Sequence, residues 1–142
     1  MSTLFTKIIE GEIPGRFVWK DEHAVAFLTI GPITHGHTLV VPREEVDHWV
    51  DAPAGLMNHL LEVAGHIGRA QVRAFGSERA GLMIAGFEVP HLHVHVWPTN
   101  SLADFDLARA ESNPDPATMD ANAQKLREAL RADGHGELIP DA

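Results

Sequence analysis

The sequence contains no cysteine, which removes disulfides, thiolate metal sites and a cysteine nucleophile together. It has no apolar run near the roughly 18 residues needed to cross a bilayer, so no membrane partner is expected. Its first residues, Met1-Ser2-Thr3-Leu4-Phe5-Thr6-Lys7, lack the basic patch, apolar core and small-residue cleavage site of a secretory leader, and a cytoplasmic location is the expectation. Basic residues are few: eleven Lys and Arg stand against twenty Asp and Glu, a net charge of −9. Binding to a nucleic acid backbone runs on phosphate neutralisation, so nucleic acid is not an expected partner. A small phosphorylated ligand in a locally positive pocket is compatible with that balance. A chain of 142 residues, 44% hydrophobic and 22% charged, has the composition of one globular domain spanning residues 1–142.

Histidine, by contrast, is abundant, with ten copies. Along the chain, Leu4, Phe5, Ile8 and Ile9 fall at helical spacing and Gly11 to Gly15 stop them. Arg16 to Lys20 and Ala24 to Leu28 read as a hairpin, and Thr38-Leu39-Val40-Val41 reads as a third strand closed by Pro42. Leu56, Leu60, Val63, Ile67, Ala70 and Ala74 recur in steps of four and three, which predicts a long helix over about residues 53–75 with Pro53 in its first turn and Gly76 at its end. Leu82 to Ala85 and His91 to Trp97 predict two antiparallel strands, with Trp97 and Pro98 ending the second and covering a pocket edge. Met119, Ala123, Leu126 and Leu130 mark a C-terminal helix ending near Gly134. Runs of strands with helices set apart predict an α+β protein.

In His91-Leu92-His93-Val94-His95-Val96-Trp97 imidazole alternates with apolar residues at the two-residue period of a strand, placing three rings on one face. Alternate rings lie roughly 6.6 Å apart on an extended chain, a spacing that suits one phosphate or one metal ion. Three readings follow. The rings form a stripe satisfied by solvent or core; or they ligate a metal with a fourth ligand such as His37, His48 or a carboxylate; or one neutral imidazole attacks phosphorus while its neighbours hold phosphate oxygens. Imidazole titrates near 6.5, so repulsion within a cluster keeps at least one member neutral at neutral pH. His23, His35, His48, His59, His66 and His135 read as surface or packing residues.

The His-φ-His-φ-His-φ-φ string (φ, apolar), together with Phe5-Thr6-Lys7-Ile8-Ile9-Glu10-Gly11-Glu12-Ile13-Pro14, Ala26-Phe27-Leu28 and Gly36-His37-Thr38-Leu39-Val40-Val41-Pro42, resembles the histidine triad family of nucleotide hydrolases and transferases. The resemblance covers about residues 3–98. It implies a five-stranded antiparallel sheet with a long central helix and a C-terminal helix, a homodimer, and a purine nucleotide or nucleotide conjugate bound by its α-phosphate. It further implies His93 as nucleophile, His95 as a phosphate and leaving-group contact, His91 as orienting residue, and His37 as the fourth histidine. By the same likeness Ile8, Phe17 and Leu28 flank the base, and Thr29, Phe87, Glu88 and Val89 contact the nucleotide, with no metal and no cofactor. Thr29 stands where relatives often carry a ribose-binding aspartate, and Phe87 where they often carry a glutamine. Thr3 and Thr6 occupy positions where some members place zinc-binding cysteines, leaving His48 and His91 as remnants of that site. A nucleotide-sensing or partner-binding protein with little turnover and a His-ligated metal enzyme are the rival functions.

Overall fold

The computed structural model describes residues 2–141; Met1 and Ala142, the ends of the expected domain, lie outside it. A short helix α1 (Leu4–Ile9) precedes the hairpin of β1 (Phe17–Lys20) and β2 (Ala24–Leu28), then β3 (Thr38–Pro42), the long helix α2 (Ala54–Phe75), β4 (Arg79–Met83), β5 (Val94–Thr99) and the C-terminal helix α3 (Pro116–Ala132). The five strands form one antiparallel sheet in the order β1-β2-β3-β5-β4. The α+β architecture read from the sequence is the one observed.

Period-two alternation sorts the strand residues onto two faces. Val18, Ala24, Ala26, Leu28, Val40, Val94 and Val96 pack against Leu60, Val63 and Ile67 of α2 and against Met119, Ala123, Leu126 and Leu130 of α3. The opposite face presents Phe17, Val25, Phe27, Leu39 and Val41, and among the helices it receives only α1, through Phe5 and Ile8. Two long helices cover one side while a helix of six residues covers part of the other. That imbalance leaves room for a cavity on the α1 side.

Two strands differ from the sequence reading. The segment predicted as a strand from His91 to Trp97 pairs only from Val94 and runs on to Thr99. Its ladder with β3 stops at Val40↔Val94, because β3 ends at Pro42, which has no N–H to offer; Leu92 N–H instead reaches the Val46 carbonyl at 2.6 Å. Pro98 lies past the other end of that ladder, Thr38↔Val96, so its missing N–H breaks no pair with β3. The strand predicted over 82–85 lies instead over Arg79–Met83, where Gly81 stands opposite Trp97. Register against β5 decides this position over local β propensity. Pro53 is the N-cap of α2 rather than part of its first turn.

Candidate active site

The turn before β3 delivers the first histidine. Gly36 has φ +89°, a conformation that favours glycine. Its carbonyl accepts from the Thr38 hydroxyl at 2.8 Å and from the buried Gln71 amide of α2 at 2.9 Å. His37 follows, with its ring against the indole of Trp97 at a centroid distance of 5.3 Å and 29° between planes. The sequence reading had Trp97 covering a pocket edge; it is fully buried, donates to the Asp104 carbonyl at 2.8 Å, and forms a flat wall behind His37.

Hydrogen bonds then fix the proton on each ring. The Ile33 N–H donates to His37 Nδ1 at 3.1 Å, so neutral His37 carries its hydrogen on Nε2 and donates it to His95 Nδ1 at 2.9 Å. His95 therefore carries its own hydrogen on Nε2, which is buried and has no partner among the described residues. Burial, followed by the neighbouring His95, holds His37 down to about 3, and burial, followed by His93, holds His95 down to about 4. Both rings are neutral at pH 7. In a second chain His93 Nδ1–H donates to the His91 carbonyl at 2.8 Å, which leaves the Nε2 lone pair free.

His91 turns away from this pair. Its Nε2–H donates to the Pro42 carbonyl at 2.7 Å and its Nδ1 accepts from the Thr3 hydroxyl at 2.6 Å. Burial is the leading cause that lowers its pKa, opposed by the Pro42 bond and by Glu45. The carboxylate of Glu45 accepts from the Thr3 N–H at 3.0 Å and the Thr6 hydroxyl at 2.6 Å. Thr3, Thr6 and Glu45 thus tie α1 to the triad, and Phe5 meets His93 edge-on at 4.9 Å. Sequence reasoning gave Glu45 and Ile33 no role. Thr3 does show one local signal, since it sits as N-cap before the apolar run of α1 and accepts from the Thr6 N–H.

These groups open onto a cavity of about 250 Å³ under α1. Phe5, Ile8, Leu28 and Leu39 give it apolar walls, and Thr29, Glu88, Val89, His93 and His95 also line it. Two expected ligand contacts do not. Phe17 lies opposite Phe27 across the hairpin and packs edge-on against it, so it supports the wall from behind. Phe87 is 97% exposed after Gly86, whose φ of +84° swings the loop outward, and it faces a neighbouring depression with Trp49. His48 lines that depression too, while His91 binds Thr3 and Pro42.

Glu88, His93 and His95 each bring one potential metal-ligand atom within 4.8 Å of the others. The donor set suits a cation poorly, since the relay from Ile33 leaves an N–H, not a lone pair, on the open nitrogen of His95. The same N–H suits an anion. Remaining histidines lie elsewhere: His59 meets Asp21 at 2.7 Å with His23 edge-on to it, His66 and His135 pack beside Trp19, and His35 accepts from Asn122.

An antiparallel sheet carrying hydrogen-bond-oriented histidines beside an apolar cleft defines the general class, an α+β protein with a histidine-lined cavity. Residues 10–102 match the family model described as the HIT domain, and the chain belongs to the histidine triad family. An uncharacterised HIT-like protein of Methanocaldococcus jannaschii is 37% identical over 101 residues, 67% of this chain and 77% of that protein. An adenylylsulfatase of Arabidopsis thaliana is 29% identical over 100 residues, 67% of this chain and 51% of that protein. Among solved structures, a zinc-bound histidine triad family protein from Mycobacterium smegmatis superposes with a TM-score of 0.81 at 27% identity, covering 96% of this chain and 98% of its own.

Proposed function

We propose that the protein is a nucleotide hydrolase or nucleotidyl transferase that cleaves a P–N or P–O bond at the α-phosphate of a purine nucleotide conjugate, without a metal or cofactor. The observation that carries this reading is the opposite polarity of two adjacent rings. His93 offers a lone pair on Nε2 because Nδ1–H is held by the His91 carbonyl, and His95 offers an N–H on Nε2 because its Nδ1 is held by His37. The apolar walls at Ile8 and Leu28 suit a base, the Thr29 hydroxyl suits a ribose, and Glu88 and Val89 line the same cavity. The likeness to an adenylylsulfatase supports the same chemistry.

His93 Nε2 attacks the α-phosphorus and the bond to the leaving group breaks with its electron pair on the departing atom. That atom takes a proton from cavity water. The hydroxide equivalent then attacks phosphorus, the P–Nε2 bond breaks, and the nucleoside monophosphate leaves with His93 restored; one water is consumed overall. The His95 N–H stabilises charge on a phosphoryl oxygen throughout, at a position fixed before substrate arrives. His37 and His91 position the pair. The test is release of AMP and GMP from nucleoside phosphoramidates and dinucleoside polyphosphates with a chelator present. His93→Ala is expected to abolish turnover while monophosphate binding persists; full activity of that variant overturns the reading.

The protein is proposed to work as a homodimer. β4 is an edge strand, and beside it an apolar hollow of about 700 Å³ runs along α2, with Leu61 45% and Leu82 48% exposed. An unpaired edge next to exposed leucines suits pairing with a second copy.

A further inference from the structure

Among the residues that α2 buries against the sheet, Gln71 is the one with a polar side chain. Its amide nitrogen donates to two main-chain carbonyls, Gly36 at 2.9 Å and Val96 at 2.8 Å. Those carbonyls fix the orientation of the amide, because a flipped oxygen would meet both of them. The amide oxygen is buried and has no partner among the described residues. An unsatisfied buried acceptor costs free energy that a leucine in the same place would not. Packing of α2 on the sheet therefore does not account for this residue. The position of its two partners does: Gly36 immediately precedes His37, and Val96 immediately follows His95. Thr38↔Val96 is the last pair of the β3–β5 ladder. Beyond it, side chains tie the turn that carries His37 to β5, with the Thr34 hydroxyl on the Pro98 carbonyl at 2.7 Å and the Gln71 amide on Val96. One turn further along α2, Phe75 packs so closely on Gly36 that a Cβ there would overlap its ring. Phe75 blocks movement of the turn toward α2, and the Gln71 amide restrains movement away from it.

We propose that Gln71 is a positioning residue: acting from the opposite face of the sheet through the Gly36 and Val96 carbonyls, it holds His37 and His95 at the separation where their rings share one hydrogen. The contact it maintains is 2.9 Å, and a drift of well under an ångström at either carbonyl ends it. His95 Nδ1 is then free to take the ring hydrogen, and Nε2 changes from a donor into a lone pair. The effect on turnover rests on the function proposed above, where the His95 N–H stabilises charge on a phosphoryl oxygen; the effect on the tautomer does not.

The test uses Gln71→Leu and Gln71→Met, which remove both donors at comparable volume. Imidazole nitrogen NMR of the protein without ligand reads the tautomers, and thermal melting shows that each variant is folded. Wild type is expected to show His95 as one tautomer, with a bare Nδ1 and a protonated Nε2. In a folded variant His95 should exchange between both tautomers while His91 and His93 keep theirs. With adenosine phosphoramidate, kcat should fall on the order of tenfold with KM within about twofold, a smaller loss than outright deletion of a transition-state donor. A single unchanged His95 tautomer in a folded variant overturns the inference whatever the turnover. Failure of both variants to fold overturns it too, since the amide then serves the fold itself. Tautomer exchange with unaltered kcat supports the positioning role and removes the part given to His95 in the reaction. Should wild type not turn over the phosphoramidate, the proposed reaction falls, and the nitrogen spectra still decide the role of Gln71.

Discussion

Whether an imidazole attacks or donates is decided by the atom at its far nitrogen. For His93 that atom is a carbonyl oxygen, and for His95 it is the ring of His37, itself fixed by the Ile33 N–H. Neither His37 nor His95 has a nitrogen that can accept a second proton without losing an existing bond or staying buried, in keeping with values near 3 and 4 against an ordinary 6.5. In the unfolded chain both rings protonate as pH falls through about 6.5, while the folded protein resists until about 4 and then about 3. Across that window the unfolded state binds more protons, so stability is full above about pH 6.5 and declines below it. Denaturant unfolding at about pH 7 and about pH 4.5 should show a loss on the order of a few kcal/mol. Equal stability at the two pH values contradicts the buried relay. The sequence showed that His91, His93, His95 and His37 belong together; it could not show their tautomers, which depend on Ile33 and on contacts 49 and 58 residues apart.

Six residues are too few for a helix to persist on its own, and α1 persists because the site holds it. Thr3 caps it and also donates to His91, Glu45 ties down Thr3 and Thr6, and Phe5 packs on His93. Thr3→Val removes the cap and the His91 bond at once. It should cost about 1–2 kcal/mol in thermal unfolding and weaken nucleotide binding several-fold, because α1 roofs the cavity. Unaltered affinity by titration calorimetry would show that the helix is only an ornament to the fold. Helices were legible from their spacing: α3 buries Met119, Ala123, Leu126 and Leu130, and α2 buries Leu60, Val63, Ile67 and Ala70 while Leu56 and Ala74, which also marked it, are half-buried. Strand limits were less so, since the start of β5 depends on a proline in its neighbour and β4 takes its place from Trp97 and Thr99 across the sheet.

At the scale of the molecule the sheet is covered unevenly, and the histidine-lined cavity lies on the thin side. The thick side, with α2 and α3, ends at the exposed edge of β4. Leu82→Lys should convert the proposed dimer to a monomer in sedimentation velocity, because a charge at the centre of a self-complementary interface meets its own copy. A wild-type protein that sediments as a monomer at high concentration removes that assembly. No helix among the described residues is long and apolar enough to cross a membrane.

The relay that begins at the Ile33 amide has one more effect. A peptide N–H neither gives up its proton nor takes another at any ordinary pH, so the inner end of the relay is a wall. His95 consequently behaves as a permanent dipole rather than as a reservoir of acid. That dipole keeps the same sign at pH 5 and at pH 9, so the inner end of the site does not follow the acidity of the surroundings.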